Sequence, residues 1–449
     1  MDANNLSHIF KAYDVRGKVG SELTPEVSEA IGKAFADWLP MQGKVAVGRD
    51  MRPDSGELAD ALIQGLRMQG RDVLDIGEVA SDMIYFAVGK LELAGGAVVT
   101  ASHNPGAYNG IKLYRDHVIA VGLNAGLDKI RDAALSSQFN APSSQPGNLE
   151  QHSITEAWIE HCLKFCPNLK PYRIAIDAGN GMAGAILPHI LPKLPLQAEE
   201  MYFDLDGTFP NHEANPMNPA NMQDLIKKIR DLELDFGVAF DGDGDRAGFV
   251  DDKGRIVSGS DLMSIMAKSY LEKYPGATIV RDVRMSHAID KLVAKWGGKI
   301  AVTPVGRVYV GAKMREIGAP FGGEGSGHFY FKENDDADSG LIAALVAMQA
   351  ISDSGKKLSE LVDEYHLYHV IGETNFEVED KASAFAALRE QFKDEHQSEL
   401  DGLTVEFTDG SWFNVRASNT EPVIRLNAEA RSQDRLDQLV EKVSKLITE

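Results

Sequence analysis

Phe236-Gly237-Val238-Ala239-Phe240-Asp241-Gly242-Asp243-Gly244-Asp245-Arg246 sets a short apolar run directly before three carboxylates separated by glycines. An apolar run of that length, stopped by Asp and Gly, reads as a buried strand of an open α/β sheet with a ligand loop at its carboxyl end. The pattern recurs. Residues 172–176 run into Asp177-Ala178-Gly179-Asn180-Gly181, and residues 278–281 run into Asp282. Earlier strands are expected at 44–47, 72–76 and 97–99, with helices at 25–38 and 57–69. Thr24 is the expected N-cap of the first helix, with Pro25 in its first turn. Strand and helix patterns alternating in this way argue for α/β architecture, here as three related modules.

The last 80 or so residues read differently: strand, helix (382–392), strand pair, helix (433–446), as in a small α+β domain. Linkers are expected at 136–148, at Asp251–Gly254 and around 366–372. The expected division is therefore 1–148, 149–253, 254–367 and 368–449. The chain has 449 residues, 46 basic and 67 acidic, hence a net charge of −21. Such an acidic chain is a poor partner for nucleic acid or an anionic membrane. The apolar run at 341–351 is too short to span a bilayer, no secretory signal opens the chain, and two cysteines suit a reducing cytoplasm. Cys162 and Cys166, beside His161, resemble half a zinc site, but the apolar neighbours Trp158, Ile159, Leu163 and Phe165 favour a packed helix.

Four segments carry chemistry. In Asp241–Arg246 the glycines let Asp241, Asp243 and Asp245 converge, and converging carboxylates need a cation. Oxygen-only ligands point to a hard ion, Mg²⁺ before Mn²⁺ or Ca²⁺. An EF-hand is excluded, because the Glu expected twelve positions along the loop is missing. Thr100-Ala101-Ser102-His103-Asn104-Pro105 presents a hydroxyl on a turn after a strand. It reads either as a polar turn or as a serine nucleophile, and the Gly-x-Ser-x-Gly elbow is absent. Gly322-Gly323-Glu324-Gly325-Ser326-Gly327-His328 is either a flexible turn or a loop whose Glu324 and Ser326 read vicinal hydroxyls. Arg416-Ala417-Ser418-Asn419-Thr420-Glu421-Pro422, with Arg425, is either a capped turn or a phosphate cradle. Arg49 and Arg52 stand in an early loop where a surface arginine is the default reading. Trp412 reads as core or as a domain contact.

One exposed serine, one metal cage, one hydroxyl-reading loop and one phosphate cradle together specify phosphoryl transfer in an interdomain cleft. No Walker loop occurs, so the donor is not expected to be ATP. At this point the chain resembles the α-D-phosphohexomutase superfamily, in its phosphomannomutase/phosphoglucomutase branch. The resemblance rests on Lys11-Ala12-Tyr13-Asp14-Val15-Arg16-Gly17, Thr100–Pro105, Phe209-Pro210-Asn211-His212, Asp241–Arg246, Gly323–His328 and Arg416–Pro422.

The resemblance implies four domains around a central cleft, three α/β modules with mixed sheets and a smaller C-terminal α+β domain. Ser102 would be the phosphoserine. One Mg²⁺ per chain would be held by Asp241, Asp243, Asp245 and the Ser102 phosphate. Lys112 and His328 would give acid and base help, with Arg16 and Arg246 positioning phosphate. Tyr13, His103, Arg284, Arg307, Glu324, Ser326, Arg416, Ser418, Asn419, Thr420 and Arg425 would contact substrate. His103 would neighbour the nucleophile rather than act as the base. The family commonly has His or Asp where Arg307 stands, which leaves subfamily specificity open. The implied reaction interconverts hexose 1- and 6-phosphates through a hexose 1,6-bisphosphate. Partners would be small hexose phosphates, in the cytoplasm, for a monomer or a dimer. A phosphoglucosamine mutase, a Mg²⁺-dependent sugar-phosphate phosphatase and a non-enzymatic sugar-phosphate sensor are the alternatives.

Overall fold

A computed structural model of the chain describes residues 6–417 and 423–448. The first sheet contains β1 (Val15–Lys18), β2 (Val45–Arg49), β3 (Val73–Glu78), β4 (Gly95–Val99), β5 (Tyr108–Arg115), β6 (Ile119–Ala120) and β7 (Leu149–Gln151). Its order is β1-β5-β4-β2-β3-β7, with β6 on β5. The second sheet contains β8 (Tyr172–Asp177), β9 (Leu196–Met201), β10 (Phe236–Phe240), β11 (Ala247–Asp251) and β12 (Ile256–Val257), in the order β12-β11-β10-β8-β9. The third contains β13 (Thr278–Asp282), β14 (Lys299–Thr303), β15 (Phe321–Gly323), β16 (Phe329–Phe331) and β17 (Ala337–Asp338), in the order β14-β13-β15-β16-β17.

The repeat expected from sequence is explicit in the pairing. β2 lies parallel to β3 and β4, and β4 is antiparallel to β5. β8 lies parallel to β9 and β10, and β10 is antiparallel to β11. β13 lies parallel to β14 and β15, and β15 is antiparallel to β16. Three mixed sheets thus share one four-strand core. The connection between its third and fourth strands carries Ser102 in the first module, Asp241–Arg246 in the second and Glu324–His328 in the third.

The three strands that run into Asp do not hold equivalent places in their modules. Asp177 and Asp282 end the first core strand of their modules, but Asp241 follows a third strand. The residue equivalent to Asp177 and Asp282 is Asp50, after β2. Each of these three accepts a backbone N–H two residues on: Arg52 at 3.0 Å, Gly179 at 2.8 Å and Arg284 at 2.7 Å. The carboxylate closes the strand end into an Asx turn.

Thr24 caps the helix Pro25–Trp38 as expected, accepting from Val27. The apolar run at 341–351 lies in Gly340–Ser354, a helix buried along most of its length within the largest core cluster. A helix apolar on all sides belongs in an interior. Cys162 and Cys166 are buried free thiols in the same core. Among the described residues no helix is long and apolar enough to cross a membrane.

The fourth sheet is antiparallel throughout: β18 (His369–Val370), β19 (Thr374–Glu377), β20 (His396–Ser398), β21 (Leu403–Glu406), β22 (Trp412–Ala417) and β23 (Val423–Ala430). Helices Lys381–Gln391 and Gln433–Thr448 pack on its core residues. It has more strands than expected, because β18 and β20 are too short to show an alternating pattern. Two expected boundaries also shift. β7 extends the first sheet past residue 148, and Asp251–Gly254 is a hairpin turn leading into β12 of the second sheet. Trp412 is a domain contact: its ring stacks on His287 of the third module at 4.4 Å.

Candidate active site

Ser102 follows β4 and is almost fully buried. Its φ is +52°, in the left-handed region that costs a non-glycine residue about 1–2 kcal/mol. The surroundings hold it there. Ser102 N–H donates to Thr100 Oγ1 at 2.9 Å, and the Ser102 carbonyl accepts from Arg52 Nη2 at 2.9 Å. Arg52 also donates to the carbonyls of Asn104, Pro105 and Tyr108, while Asp50 pairs with its Nε at 3.2 Å. Arg52 is therefore a buried clamp on the serine loop, not a surface arginine. Its only sequence signal was its place two residues after Asp50, which follows β2.

The serine loop rests directly on the carboxylate loop. A Cβ on Gly242 would lie 2.4 Å from the Ser102 carbonyl oxygen, so only glycine permits the approach. Ser102 Oγ donates to Asp241 Oδ2 at 2.9 Å. Asp241, Asp243 and Asp245 are buried, and one oxygen of each lies within 4.8 Å of the others. Lys112, reaching over from β5, binds Oδ2 of both Asp243 and Asp245. Arg246 Nε donates to Asp241 Oδ2 at 2.9 Å, and its Nη2 meets His103 Nδ1. Among the described residues, Asp243 Oδ1 is buried and accepts no hydrogen bond. Asp245 Oδ1 lies 3.4 Å from His328 Nε2 and 4.0 Å from Arg246 Nε. These open carboxylate edges, all oxygen and all converging, are what a hard divalent cation takes. The residues present fit a metal ion.

The charges are unevenly shared. Burial and the neighbouring Asp245 charge push the Asp241 carboxyl up to about 7. Burial acts on Asp243 and Asp245 too, but Lys112 outweighs it and holds both below the usual carboxylate range, with His328 assisting at Asp245. Burial disfavours the Lys112 charge, yet the two aspartates raise its pKa, so it is an ammonium. Burial, then Arg246 and Arg16, push His103 down to about 2, so it is a neutral acceptor. His328 is shifted up against its burial by Asp245.

Arg16 joins the group from β1, donating to the Ala101 carbonyl and the Asn104 side chain and pairing with Asp14 at 2.9 Å. The third module supplies Glu324, which accepts from Ser326 Oγ at 3.3 Å and from Tyr330 Oη. Ser326 Oγ also lies 3.0 Å from His328 Nδ1. Arg284 pairs with Asp282 at 2.7 Å and reaches Glu324 at 3.9 Å. Tyr13 donates to the Val305 carbonyl at 2.8 Å, tying the first module to the third. Arg307 opens the helix Arg307–Ile317 and lies over the Tyr114 ring at 5.3 Å. From the fourth sheet, Arg416 and Arg425 both face Glu373. A cleft of about 590 Å³ runs from Arg246 past Ser326 and Arg284 to Glu373. Ser418, Asn419 and Thr420 lie outside the described residues. Glu373 and Tyr330 carried no sequence signal, since their place here comes from strand pairing alone.

Four models of the phosphoglucomutase/phosphomannomutase family match the chain: α/β/α domain I at residues 7–141, domain II at 156–254, domain III at 258–368 and the C-terminal domain at 373–446. The chain belongs to this family. It is a member of the α-D-phosphohexomutase superfamily, in the phosphomannomutase/phosphoglucomutase branch, and hence an isomerase of hexose phosphates. A protein described as phosphohexose mutases in Xanthomonas campestris pv. campestris is 40% identical over 431 residues, covering 94% of this chain and 95% of that one. The phosphomannomutase/phosphoglucomutase of Pseudomonas aeruginosa is 35% identical over 439 residues, covering 96% of this chain and 93% of that one. The crystal structure of a phosphoglucomutase/phosphomannomutase family protein from Burkholderia thailandensis superimposes with a TM-score of 0.91 at 32% identity, covering 98% of this chain and 97% of that one. In this phosphohexomutase the connections between third and fourth core strands meet through Ser102 on Asp241 and His328 on Asp245.

Proposed function

We propose that this phosphohexomutase interconverts the 1- and 6-phosphates of mannose and of glucose, with Ser102 as the phosphoryl carrier. The observation that carries the reading is the Ser102 Oγ held 2.9 Å from Asp241 Oδ2, at the edge of the three-carboxylate cluster. Hexose 1,6-bisphosphate primes Ser102 and is also the intermediate. In the first half-reaction the bond between Ser102 Oγ and phosphorus breaks, and the free sugar hydroxyl forms the new bond to phosphorus. The hydroxyl gives up its proton to a base and Ser102 Oγ gains one. The intermediate turns over in the cleft, and its other phosphate returns to Ser102 by the reverse steps.

Asp241, Asp243 and Asp245 would hold Mg²⁺, which when bound neutralises charge on the transferring phosphoryl group. Arg246 and Arg16 hold the serine loop and face the same phosphoryl group. Lys112 is an ammonium in this arrangement and so acts as a cation or a proton donor. His328, between Ser326 and Asp245, is placed to move the hydroxyl proton. His103 stays neutral and accepts from Arg246 beside Ser102. Glu324 and Ser326 read the sugar hydroxyls from one wall, which lets either end of the hexose face Ser102. Arg416 and Arg425, with Ser418, Asn419 and Thr420, hold the phosphate that is not reacting, and Tyr13, Arg284 and Arg307 complete the contacts.

The test is ³¹P NMR of the protein with Mg²⁺ and, in separate samples, mannose, glucose and glucosamine 1-phosphates, each with a trace of its 1,6-bisphosphate. Conversion of the mannose and glucose compounds to 6-phosphates supports the reading. Conversion of glucosamine 1-phosphate alone overturns the sugar assignment, and release of inorganic phosphate alone indicates a phosphatase. Ser102→Ala is expected to lower turnover by at least about 10⁴-fold while leaving sugar-phosphate binding measurable by calorimetry. Wild-type turnover in that variant would remove Ser102 from its role.

A further inference from the structure

Arg416 and Arg425 are directly opposite each other in the antiparallel pairing of β22 with β23. Like charges set directly opposite on a ladder repel, and an anion between them relieves that repulsion. Here that anion is Glu373. Its Oε2 accepts from Arg416 Nη2 at 2.8 Å, and its Oε1 lies 3.4 Å from Arg425 Nη1. One carboxylate spans two guanidiniums with one oxygen to each, the arrangement a phosphate adopts with its own oxygens. Glu373 also adds to the negative field around Arg284, and both line the cleft that leads to Ser326 and Arg246. It is the last residue before β19, in the short connection from β18 within the fourth sheet.

We infer that Glu373 is an internal stand-in for the substrate's non-reacting phosphate, neutralising Arg416 and Arg425 when the cradle is empty and yielding to the phosphate when substrate binds. The inference rests on the reading of Arg416 and Arg425 as a phosphate cradle. A phosphate dianion carries more charge than a carboxylate and wins the two guanidiniums. The displaced carboxylate is then a like charge beside the bound phosphate, and it moves away. When the phosphate leaves, Glu373 returns, so both guanidiniums regain the same carboxylate. A bisphosphate that must let go of the cradle and present its other end needs such an exchange. Glu373 is thus a positioning residue that sets how tightly the cradle holds.

The experiment uses inorganic phosphate as a competitive inhibitor of the full-length enzyme, with KM, kcat and melting temperature recorded alongside. Glu373→Gln is expected to tighten phosphate inhibition by about 3- to 10-fold and to lower KM by a similar factor, since two partly exposed ion pairs no longer compete. Its kcat is expected to fall, because the intermediate is held too firmly to turn, and its melting temperature to stay near wild type. Glu373→Asp is expected to restore most of the wild-type values. A purely structural Glu373 predicts the reverse: a raised KM, a lower melting temperature and unchanged or weaker phosphate inhibition, any of which overturns the inference. Arg416→Ala separates the two levels. If it weakens phosphate inhibition while Glu373→Gln fails to tighten it, only the Glu373 inference falls. If Arg416→Ala leaves phosphate inhibition unchanged, the cradle reading fails and takes the inference with it.

Discussion

His212 shows how a single residue is set by what its two ring nitrogens meet. Nε2 lies 2.9 Å from Asp177 Oδ2 and Nδ1 lies 2.9 Å from the Glu213 carbonyl. Both neighbours are acceptors, so the ring is held as an imidazolium, and the Asp177 hydrogen bond shifts its pKa above the ordinary value near 6.5. Because the folded-state pKa is the higher one, the stabilisation is fully present below about pH 6.5 and is lost as pH rises through the folded value. Wild type is therefore expected to melt above His212→Gln at about pH 5.5, with the gap closing by about pH 8.5. Thermal melts across that range check the sign, and a gap that widens with pH would refute the assignment. At the same scale, the strained Ser102 backbone and the buried Arg52 clamp belong together. The strain persists because Arg52 and Thr100 over-determine the loop.

At the scale of elements, the helix Gly340–Ser354 is the floor of the carboxylate loop. A Cβ on Gly340 would lie 2.5 Å from the Gly244 carbonyl oxygen and 2.8 Å from backbone atoms of Arg246. Ser339 caps that helix through Ile342 N–H and donates its hydroxyl to Asp82 Oδ2, joining the third module to the first. Gly340→Ala is expected to push the loop outward, weakening Mg²⁺ binding about 10- to 100-fold and lowering stability by about 1–3 kcal/mol. Calorimetric titration of Mg²⁺ and urea unfolding measure the two effects. Unchanged Mg²⁺ affinity would mean that the helix does not set the loop geometry. The three-fold repeat also lives at this scale. Asp50, Asp177 and Asp282 close equivalent strand ends, and the candidate site loops sit two connections later, between the third and fourth strands of each module.

Across the whole molecule, a chain of net charge −21 sets Arg246 and Arg284 in the wall of one cleft, and Arg416 and Arg425 pair with Glu373 of the same wall. On the proposed function, these cations would attract an anionic substrate into the cleft. Raising the ionic strength from about 0.05 M to about 0.3 M is expected to raise KM several-fold with kcat little changed, because screening weakens capture more than the buried contacts. Steady-state kinetics over a salt series test this, and a KM indifferent to salt would place the recognition in hydrogen bonds alone.

Much of this was legible in the sequence because its signals are local. Apolar runs ending in Asp mark the strands, alternating Asp and Gly mark the carboxylate loop, and Thr24-Pro25 marks a helix start to the residue. Of the residues named from motifs, Ser102 lies against Asp241 and Ser326 against His328. What sequence could not decide was pairing at a distance. The match of Asp50, not Asp241, with Asp177 and Asp282 follows from strand order. Arg52 became a buried clamp because four carbonyls of a loop fifty residues on close around it. Glu373 came to face Arg416 and Arg425 only because β22 and β23 set those arginines opposite each other. A motif records which groups a short stretch can offer. Which buried charges neutralise one another depends on the register of strands and the packing of modules, and only the tertiary structure sets those.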